Sequence, residues 1–347
     1  HSKFSLMAIQ VKTLDQLKTM RRAGLVVAEI HKAIREAIKP GMTTSALDTV
    51  AEAVIKRNGA TSNFKGYHGF PATICVSIND EIVHGIPGDR IINDGDVVSV
   101  DCGAIVDGWH GDAAFSIGIG TIDPEDQKMM DVCEESMWRG IAAGKNGARL
   151  SDIGYAIEQY TNSQGKYGIL QEYGGHGIGT EMHQEPHVLN FGKAGNGPEI
   201  IPGFVLAIEP MITRGSARTK VLSDDWTVVS ADKSRGSHFE HTYAILPDGK
   251  PFVLTAFDGG KDLWADDETA NWILWSLVVG QGILTHKALE QVRTLLPVFA
   301  THFFKALVLE PGAYFCQDWA GFVPHFHARY LYHNLLGFHL SFDAVER

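Results

Sequence analysis

The sequence GDVVSVD at residues 95–101 has a close counterpart in GFVLAIE at residues 203–209. Each stretch begins with glycine, continues through β-branched and apolar residues, and ends in an acid, Asp101 in the first and Glu209 in the second. Short apolar runs of this kind are typical of buried strands. The pair therefore predicts two related halves, each with a carboxylate at the end of a buried strand.

The next strand of each half also carries an acid. WHGDAAFSI at 109–117 and SHFEHTYAI at 237–245 place Asp112 opposite Glu240, and a histidine lies two residues before each acid. In the first half an Asp-Gly pair predicts a tight hairpin between the two strands, whereas the second half has a much longer connection. Each half is thus expected to hold two carboxylates on neighbouring antiparallel strands.

A pair of helices precedes the strands in each half. The first helix begins at a capping box formed by Thr13 and Gln16. The turn AIKPGMTTSALD at 37–48 resembles AGKNGARLSDIG at 143–154, so the helices belong to the repeat. Helices and strands in this order predict an α/β (α+β) fold. The predicted helices cover residues 13–38, from Ser45 to before Gly59, 124–143 and 151–163.

The four acids are expected to meet if the two halves pack about a pseudo-twofold axis. Buried carboxylates without partners would protonate, and a pair of divalent cations is the simplest way to neutralise four of them. The alternative is that each acid lies in a turn or at an exposed strand end. That alternative is common for one acid, but it is less attractive for four acids at matched positions of a repeat.

Three histidines accompany the acids. His176 lies in YGGHGIG, where the flanking glycines allow close approach of the backbone to a site. His183 lies in MHQEPH, and Pro186 argues against the helix of an HExxH zinc motif. His84 lies in IVHGIP, at a predicted strand end. A histidine in a turn is more often exposed or bonded to the backbone, so spacing alone leaves the roles of His84 and His183 open.

Composition excludes several classes of protein. The chain has 347 residues and a formal net charge of −11, so it has no overall electrostatic attraction for nucleic acid. Its four cysteines form no CxxC pair, which argues against a disulfide framework and favours the cytoplasm. The opening HSKFSL lacks the apolar region of a signal peptide, and no apolar run of about 18 residues predicts a membrane span. We expect a monomeric cytoplasmic protein that binds neither nucleic acid nor membranes.

Seven motifs carry a resemblance to the type I methionine aminopeptidases. They are IVHGIP, VDCG, HGDAAF, GGHGIG, MHQEPHV, AIEPMI and HFEHT, in the order and spacing of that family. The chain looks like the short bacterial form, because it lacks the helical insertion of type II enzymes and the cysteine-rich zinc region of longer eukaryotic forms. The resemblance implies the pita-bread fold, two pseudo-symmetric halves around a dinuclear metal centre. It also implies removal of the N-terminal methionine from nascent proteins and peptides, close to the ribosome.

The resemblance further implies a set of metal ligands. Asp101 resembles the bidentate ligand of one metal, and Asp112 and Glu240 resemble the carboxylates that bridge both metals. His176 and Glu209 resemble the ligands of the other metal. One nitrogen among oxygen ligands suits two divalent cations such as Co, Mn, Fe or Zn, without deciding among them.

The resemblance gives the remaining residues roles in catalysis and substrate binding. As a hypothesis, a metal-bridged hydroxide attacks the first peptide carbonyl while Glu209 shuttles the proton, His183 stabilises the oxyanion and His84 contacts the scissile amide. Phe64 departs from many bacterial relatives, which have a small cysteine there. Each candidate for the methionine pocket also has a plain interpretation as a core residue. The candidates are Tyr67, Phe70, Cys75, Met182, Met211 and Trp226.

The family resemblance divides the chain into three parts. Residues 1–11 are interpreted as an N-terminal extension or a tag remnant, and residues 12–258 as the catalytic domain. Residues 259–347 form a segment rich in aromatic residues and histidine, with an amphipathic helix predicted at 285–307 and an HFH motif at 325–327. This segment is interpreted either as a partner-binding extension or as an artefact of the gene boundary.

Two other classes of protein remain open at this stage. A prolidase or an aminopeptidase P would share the metal ligands, although those enzymes usually carry a separate N-terminal domain. A non-catalytic binding protein with the same fold is the second rival. Such proteins typically lose metal ligands, whereas all five positions here can bind a metal.

Overall fold

The computed structural model describes residues 9–260. Predictions about HSKFSL, the helix at 285–307 and the HFH motif therefore lie outside the described residues.

The helices form where the sequence predicts them. Thr13 caps the first helix: its hydroxyl accepts from the Gln16 amide at 3.4 Å, and its own amide donates to the Gln16 side chain at 2.8 Å. The helical bounds differ from the prediction by at most one residue, as expected where helix ends fray. The helices are α1 (Leu14–Ala37), α2 (Thr44–Arg57), α3 (Pro124–Ala143) and α4 (Leu150–Gln164).

The strands form one large curved sheet and two small ones. The strands are β1 (Thr61–Ser62), β2 (Ile74–Ile78), β3 (Glu81–Val83), β4 (Val97–Val106), β5 (Trp109–Gly118), β6 (Gly168–Ile169), β7 (Gly175–Gly177), β8 (Gln184–Val188), β9 (Val205–Ile208), β10 (Met211–Thr213), β11 (Thr219–Val221), β12 (Val228–Ser230), β13 (Gly236–His238), β14 (Glu240–Ile245) and β15 (Pro251–Val253). The large sheet has the order β1-β4-β5-β14-β9-β7-β8, with β2 beside β4 and β15 beside β14. The small sheets are β13-β10-β6 and β11-β12-β3.

The two halves repeat each other down to single hydrogen bonds. In the first turn the Gly41 amide donates to the Ile92 carbonyl at 2.8 Å, and in the second the Gly147 amide donates to the Ile200 carbonyl at 2.9 Å. Both glycines have positive φ, 89° and 82°, a conformation that favours glycine over other residues. The internal repeat read from the sequence is therefore a repeat in the structure.

The central strands bring the two halves together. Asp101 on β4 lies opposite Ala114 on β5, and Ala114 in turn lies opposite Glu240 on β14. Side chains alternate between the faces of a strand, so Asp101 points away from the core that its neighbours Val100 and Cys102 join. That core lies where α1 packs on β4 and β5 and where α3 packs on β5 and β13. The acids therefore project from the face of the sheet opposite these helices.

Two strand predictions need correction. Asp101 does not end its strand, because β4 continues to Val106 and pairs along its whole length with β5. The stretch 237–245 is not one strand but two, separated at Phe239. Before this residue β13 pairs with β10, and after it β14 pairs with β5 and β9, so the chain changes partners there.

None of the helices within residues 9–260 combines the length and hydropathy needed to cross a membrane.

Candidate metal centre and its cavity

Four carboxylates meet at the centre of the large sheet. Asp101, Asp112 and Glu240 are 8, 4 and 2% exposed, and each has one carboxylate oxygen without a hydrogen-bond partner among the described residues. Burial raises the pKa of Asp101 to about 8. Burial, followed by repulsion from the neighbouring carboxylates, also raises the pKa of Asp112, Glu209 and Glu240. Buried acids that repel one another are costly unless a cation or protons neutralise them.

His176 adds a nitrogen ligand on β7. Its Nδ1 lies 3.0 Å from the Gly177 carbonyl, which can only accept, so Nδ1 carries the proton. The other nitrogen, Nε2, is left with its lone pair free and lies 3.3 Å from Glu209 Oε1. Burial lowers the pKa of His176 to about 3, so the ring is neutral at physiological pH, the form that binds metals.

These residues fit divalent cations. Ligand atoms of Asp112, His176 and Glu240 lie within 4.8 Å of one another, and all three residues are buried. The carboxylate oxygens without partners are ready acceptors for a cation, and the second ring nitrogen of His176 is held by the backbone, as metal-binding histidines usually are. The set of oxygen donors with one nitrogen suits Mn, Fe, Co or Zn and not a thiolate-selective metal.

His183 and His84 lie at the same cavity as the carboxylates. The His183 ring contacts the His176 ring at a centroid distance of 4.3 Å, and its Nδ1 lies 2.8 Å from the Tyr67 hydroxyl. The backbone of His84 has φ 61°, a conformation uncommon for residues other than glycine. Its ring meets Trp226 edge to face at 6.3 Å.

Burial keeps both of these histidines in the neutral form. It lowers the pKa of His84 to about 4 and also lowers the pKa of His183, with His68 as the second cause. A neutral imidazole has one N–H to donate and one nitrogen to accept, so each ring can bind one polar group of a ligand.

An apolar pocket adjoins the charged cluster. The cavity has a volume of about 250 Å³. Its lining includes every residue that the sequence predicted as a metal ligand, a catalytic histidine or a methionine-pocket residue. On its apolar side Phe64 and Phe70 pack edge to face at 6.4 Å, and Phe70 meets Trp226 at 5.0 Å. The predicted pocket residues found in this lining are Tyr67, Phe70, Cys75, Met182, Met211 and Trp226.

The structure adds residues that sequence reasoning missed. Glu172 and Tyr173 line the cavity, Tyr173 meets His84 edge to face at 5.9 Å, and the Thr219 hydroxyl donates to Glu172 at 2.6 Å. Their position just before the GGHGIG motif is a usable sequence signal. The other residues in the lining that sequence reasoning did not include among the site residues are Phe64, Val83, Gly174 and His187.

His238 also faces the cluster from β13. It is 1% exposed, and its Nε2 lies 3.8 Å from Glu209 Oε2. Burial lowers its pKa to about 3, so it is neutral. The sequence placed His238 beside the site without a defined role, and the structure puts its ring next to a candidate ligand.

Comparison with known proteins identifies the family. Residues 18–247 match the model of metallopeptidase family M24. Methionine aminopeptidase 1 from Bacillus subtilis is 46% identical over 238 residues, which is 69% of this chain and 96% of that protein. Methionine aminopeptidase 1 from Mycobacterium tuberculosis is 48% identical over 250 residues, covering 70% of this chain and 94% of that protein.

Solved structures agree with the sequence matches. A methionine aminopeptidase from Thermotoga maritima superposes with a TM-score of 0.70 at 36% identity, over 72% of this chain and all of that one. A prolidase from Pyrococcus furiosus, at 21% identity and a TM-score of 0.57, shares the fold alone. The fold is the pita-bread fold of these enzymes. The chain therefore belongs to metallopeptidase family M24, a family of hydrolases, and within it to the methionine aminopeptidases.

Proposed function

We propose that this protein removes the N-terminal methionine from nascent proteins and peptides with the help of two divalent cations. The observation that carries the proposal is the cavity itself. Five candidate metal ligands line it together with a cluster of apolar side chains. A peptide whose first side chain fills the pocket would present its first peptide bond to the metals.

Five residues would hold the two cations. Carboxylate ligands would come from Asp101, Asp112, Glu209 and Glu240, and a nitrogen ligand would come from His176. When bound, such a metal pair supplies an activated attacking water and polarises the substrate carbonyl. Family membership supports metal dependence, while the number and identity of the metals are part of this proposal.

His183 would donate to the oxyanion that develops on the substrate carbonyl. The Tyr67 hydroxyl lies 2.8 Å from His183 Nδ1, and if it donates there the ring proton must be on Nε2. Tyr67 would thus hold His183 in the form that donates an N–H towards the substrate. Donors of this kind contribute about 2.7–4 kcal/mol to catalysis.

His84 would contact the scissile amide, and Glu209 would move the proton. The His84 ring is held between Tyr173 and Trp226, which fixes its direction. Glu209 is the least buried of the four acids, with 13% of its side chain exposed, so it can exchange protons more readily than the others.

The apolar pocket would select methionine. Phe70, Met182 and Trp226 offer flat and flexible apolar surfaces that suit an unbranched thioether. Cys75 lies in the same cluster and is 4% exposed. Phe64, also in the cluster, makes the pocket narrower than a cysteine at that position would.

The cellular setting is part of the same proposal. We infer that the enzyme acts as a monomer in the cytoplasm on chains leaving the ribosome, because nascent chains are where an initiator methionine is first exposed. Within the described residues the three cysteines, Cys75, Cys102 and Cys133, are free and buried, which is compatible with a reducing compartment.

Hydrolysis of Met-Ala-Ser by metal-stripped protein, before and after refilling with Mn, Fe, Co or Zn, tests the proposal. Leu-Ala-Ser and Pro-Ala-Ser serve as matched substrates that differ only in the first side chain, and the dipeptide Ala-Pro tests the prolidase interpretation. We expect metal-dependent release of methionine and at least tenfold slower release of leucine, since one misfit in an apolar pocket is worth about 1–3 kcal/mol. Hydrolysis of Ala-Pro alone, or no hydrolysis with any metal, would reject the proposal.

A further inference from the structure

Three residues form a row beside the candidate metal centre, two of them on strands β4 and β5 and one just after the end of strand β1. Strand β1 pairs with β4 so that Ser62 lies opposite Ala104. One residue further along, the backbone N–H of Asn63 donates to the Gly103 carbonyl at 3.5 Å. Gly103 lies opposite Asp112 on β5. Side chains in one row of a sheet project from the same face. Asn63 and Asp112 therefore flank Gly103 on the face that carries the candidate ligands.

Gly103 leaves room for the Asn63 side chain between the two strands. A Cβ atom built on Gly103 would overlap with the amide group of Asn63, so that amide occupies the place of the missing side chain. The space above Gly103 leads directly to Asp112, the next residue in the row. The glycine thus allows Asn63 to reach across β4 towards a candidate metal ligand.

The Asn63 side-chain amide is buried without a hydrogen bond. Asn63 is 5% exposed, and within residues 9–260 neither its Nδ2 nor its Oδ1 has a hydrogen-bond partner, while Asp112 Oδ1 also lacks one. A buried amide without partners costs free energy, so its presence calls for a reason. The amide also lies close enough to the Asp112 carboxyl to interact with it.

We propose that Asn63 is a positioning residue for the metal centre, whose amide donates to the Asp112 carboxylate when that carboxylate binds a cation. Only Nδ2 can donate, whichever way the amide is turned. The bond would fix the direction of a carboxylate that is proposed to hold a cation. This inference rests on the proposed function, since it assumes that Asp112 is a ligand.

Metal affinity and metal-free stability together test the proposal. Asn63→Leu keeps the approximate shape of the side chain and removes the amide. We expect about 10–100-fold weaker binding of Mn²⁺ or Co²⁺ by calorimetry, the usual effect of losing a partner of a metal ligand. The melting temperature of the metal-free variant should stay the same or rise, because a buried amide without partners is gone. A residue with only a structural role would not move the two measurements in opposite directions.

Three further variants complete the experiment. Asn63→Ala should weaken metal binding to the same extent as Asn63→Leu, even if the cavity that the smaller side chain leaves lowers the melting temperature. Thr161→Val is the control, because it removes a different buried polar group that has no partner among the described residues, a hydroxyl on α4 outside the cavity. It should leave metal affinity within twofold of wild type. Asp112→Ala should abolish tight binding of at least one metal.

The outcomes separate the inference from the function on which it rests. If Asp112→Ala binds metal as wild type does, the proposed metal centre itself is wrong. If Asp112→Ala loses metal while both Asn63 variants bind it as wild type does, only the role of Asn63 is wrong. At saturating metal the KM for Met-Ala-Ser should not change in Asn63→Leu, because Asn63 does not line the cavity.

Discussion

At the scale of single residues, the four carboxyls should release protons when they bind a metal ion. Burial raises the pKa of Asp101 to about 8 and also raises the pKa of the other three, so without metal several of them hold protons at neutral pH. A cation must displace those protons. We expect proton release on loading Mn²⁺ at pH 7, and a Kd that falls about tenfold per pH unit for each proton displaced, up to about pH 8.

Calorimetry in buffers with different ionisation enthalpies counts the released protons. Glu240→Gln is the matched control, because it removes one titrating carboxyl with little change of shape and should release fewer protons. Equal affinity at pH 6 and pH 8 with no buffer dependence would show that the carboxyls are already ionised in the metal-free protein.

The pair Tyr67 and His183 predicts a graded loss of activity. His183→Ala removes the proposed oxyanion donor and should lower kcat by about 10²–10³-fold. Tyr67→Phe removes only the hydroxyl that fixes the ring, so it should lower kcat by about tenfold, the worth of one oriented hydrogen bond. Both variants should bind two metals as wild type does.

Metal content measured beside kcat decides between roles for these two residues. Loss of a metal in His183→Ala would make this histidine a ligand. An unchanged kcat with a raised KM in Tyr67→Phe would leave Tyr67 as a wall of the methionine pocket and nothing more.

At the scale of elements, two glycines allow close packing of α1: Gly111 lets it lie directly on β5, and Gly24 lets it lie against the chain at Leu254. A Cβ on Gly111 would lie 2.9 Å from the backbone nitrogen of Gly24, and a Cβ on Gly24 would overlap with the Leu254 carbonyl. Because β5 also carries Asp112, α1 packs against the face of the sheet opposite the candidate metal ligands. We expect Gly24→Ala to lower the free energy of unfolding by about 1–3 kcal/mol, since the clash is with rigid backbone.

Thermal unfolding of Gly24→Ala beside Lys32→Ala tests the contact. Lys32 lies on the exposed side of the same helix and forms an exposed ion pair with Glu36, so its removal should change stability by no more than about 0.5 kcal/mol. Equal melting temperatures for the two variants would contradict close packing at Gly24.

The sequence predicts the elements better than the contacts between them. Helix ends, the hairpin of β4 and β5 and the matched acids follow from local patterns, because capping residues, glycine turns and apolar runs act over a few positions. The break at Phe239 could not be predicted, since it depends on which strand each half of the stretch pairs with. Nor could the bond between Tyr67 and His183, which joins residues 116 positions apart.

At the scale of the molecule, one buried arginine ties the end of the catalytic unit to its first helix. Arg21 is 1% exposed, and its guanidinium donates to the carbonyls of Val253 and Leu254 at 3.0 and 2.6 Å. It also donates to those of Ala256 and Phe257 at 2.6 and 3.0 Å. Burial lowers its pKa to about 9, which still leaves it charged at neutral pH. The cation thus depends on carbonyl groups of residues 253–257 for its hydrogen bonds.

This arrangement predicts where the chain can be shortened. A protein that ends at residue 260 keeps all four carbonyls, and the part of this chain that matches the Thermotoga maritima enzyme covers that enzyme completely. We expect it to hydrolyse Met-Ala-Ser within about threefold of the full chain, since one such factor is well under 1 kcal/mol. A protein that ends at residue 250 leaves a buried cation unpaired, a defect worth about 3–5 kcal/mol, and it also loses β15. It should therefore fail to give a cooperative melting transition. If the longer truncate were inactive although folded and metal-loaded, residues 261–347 would belong to the catalytic machinery, and the division of the chain proposed from its sequence would be wrong.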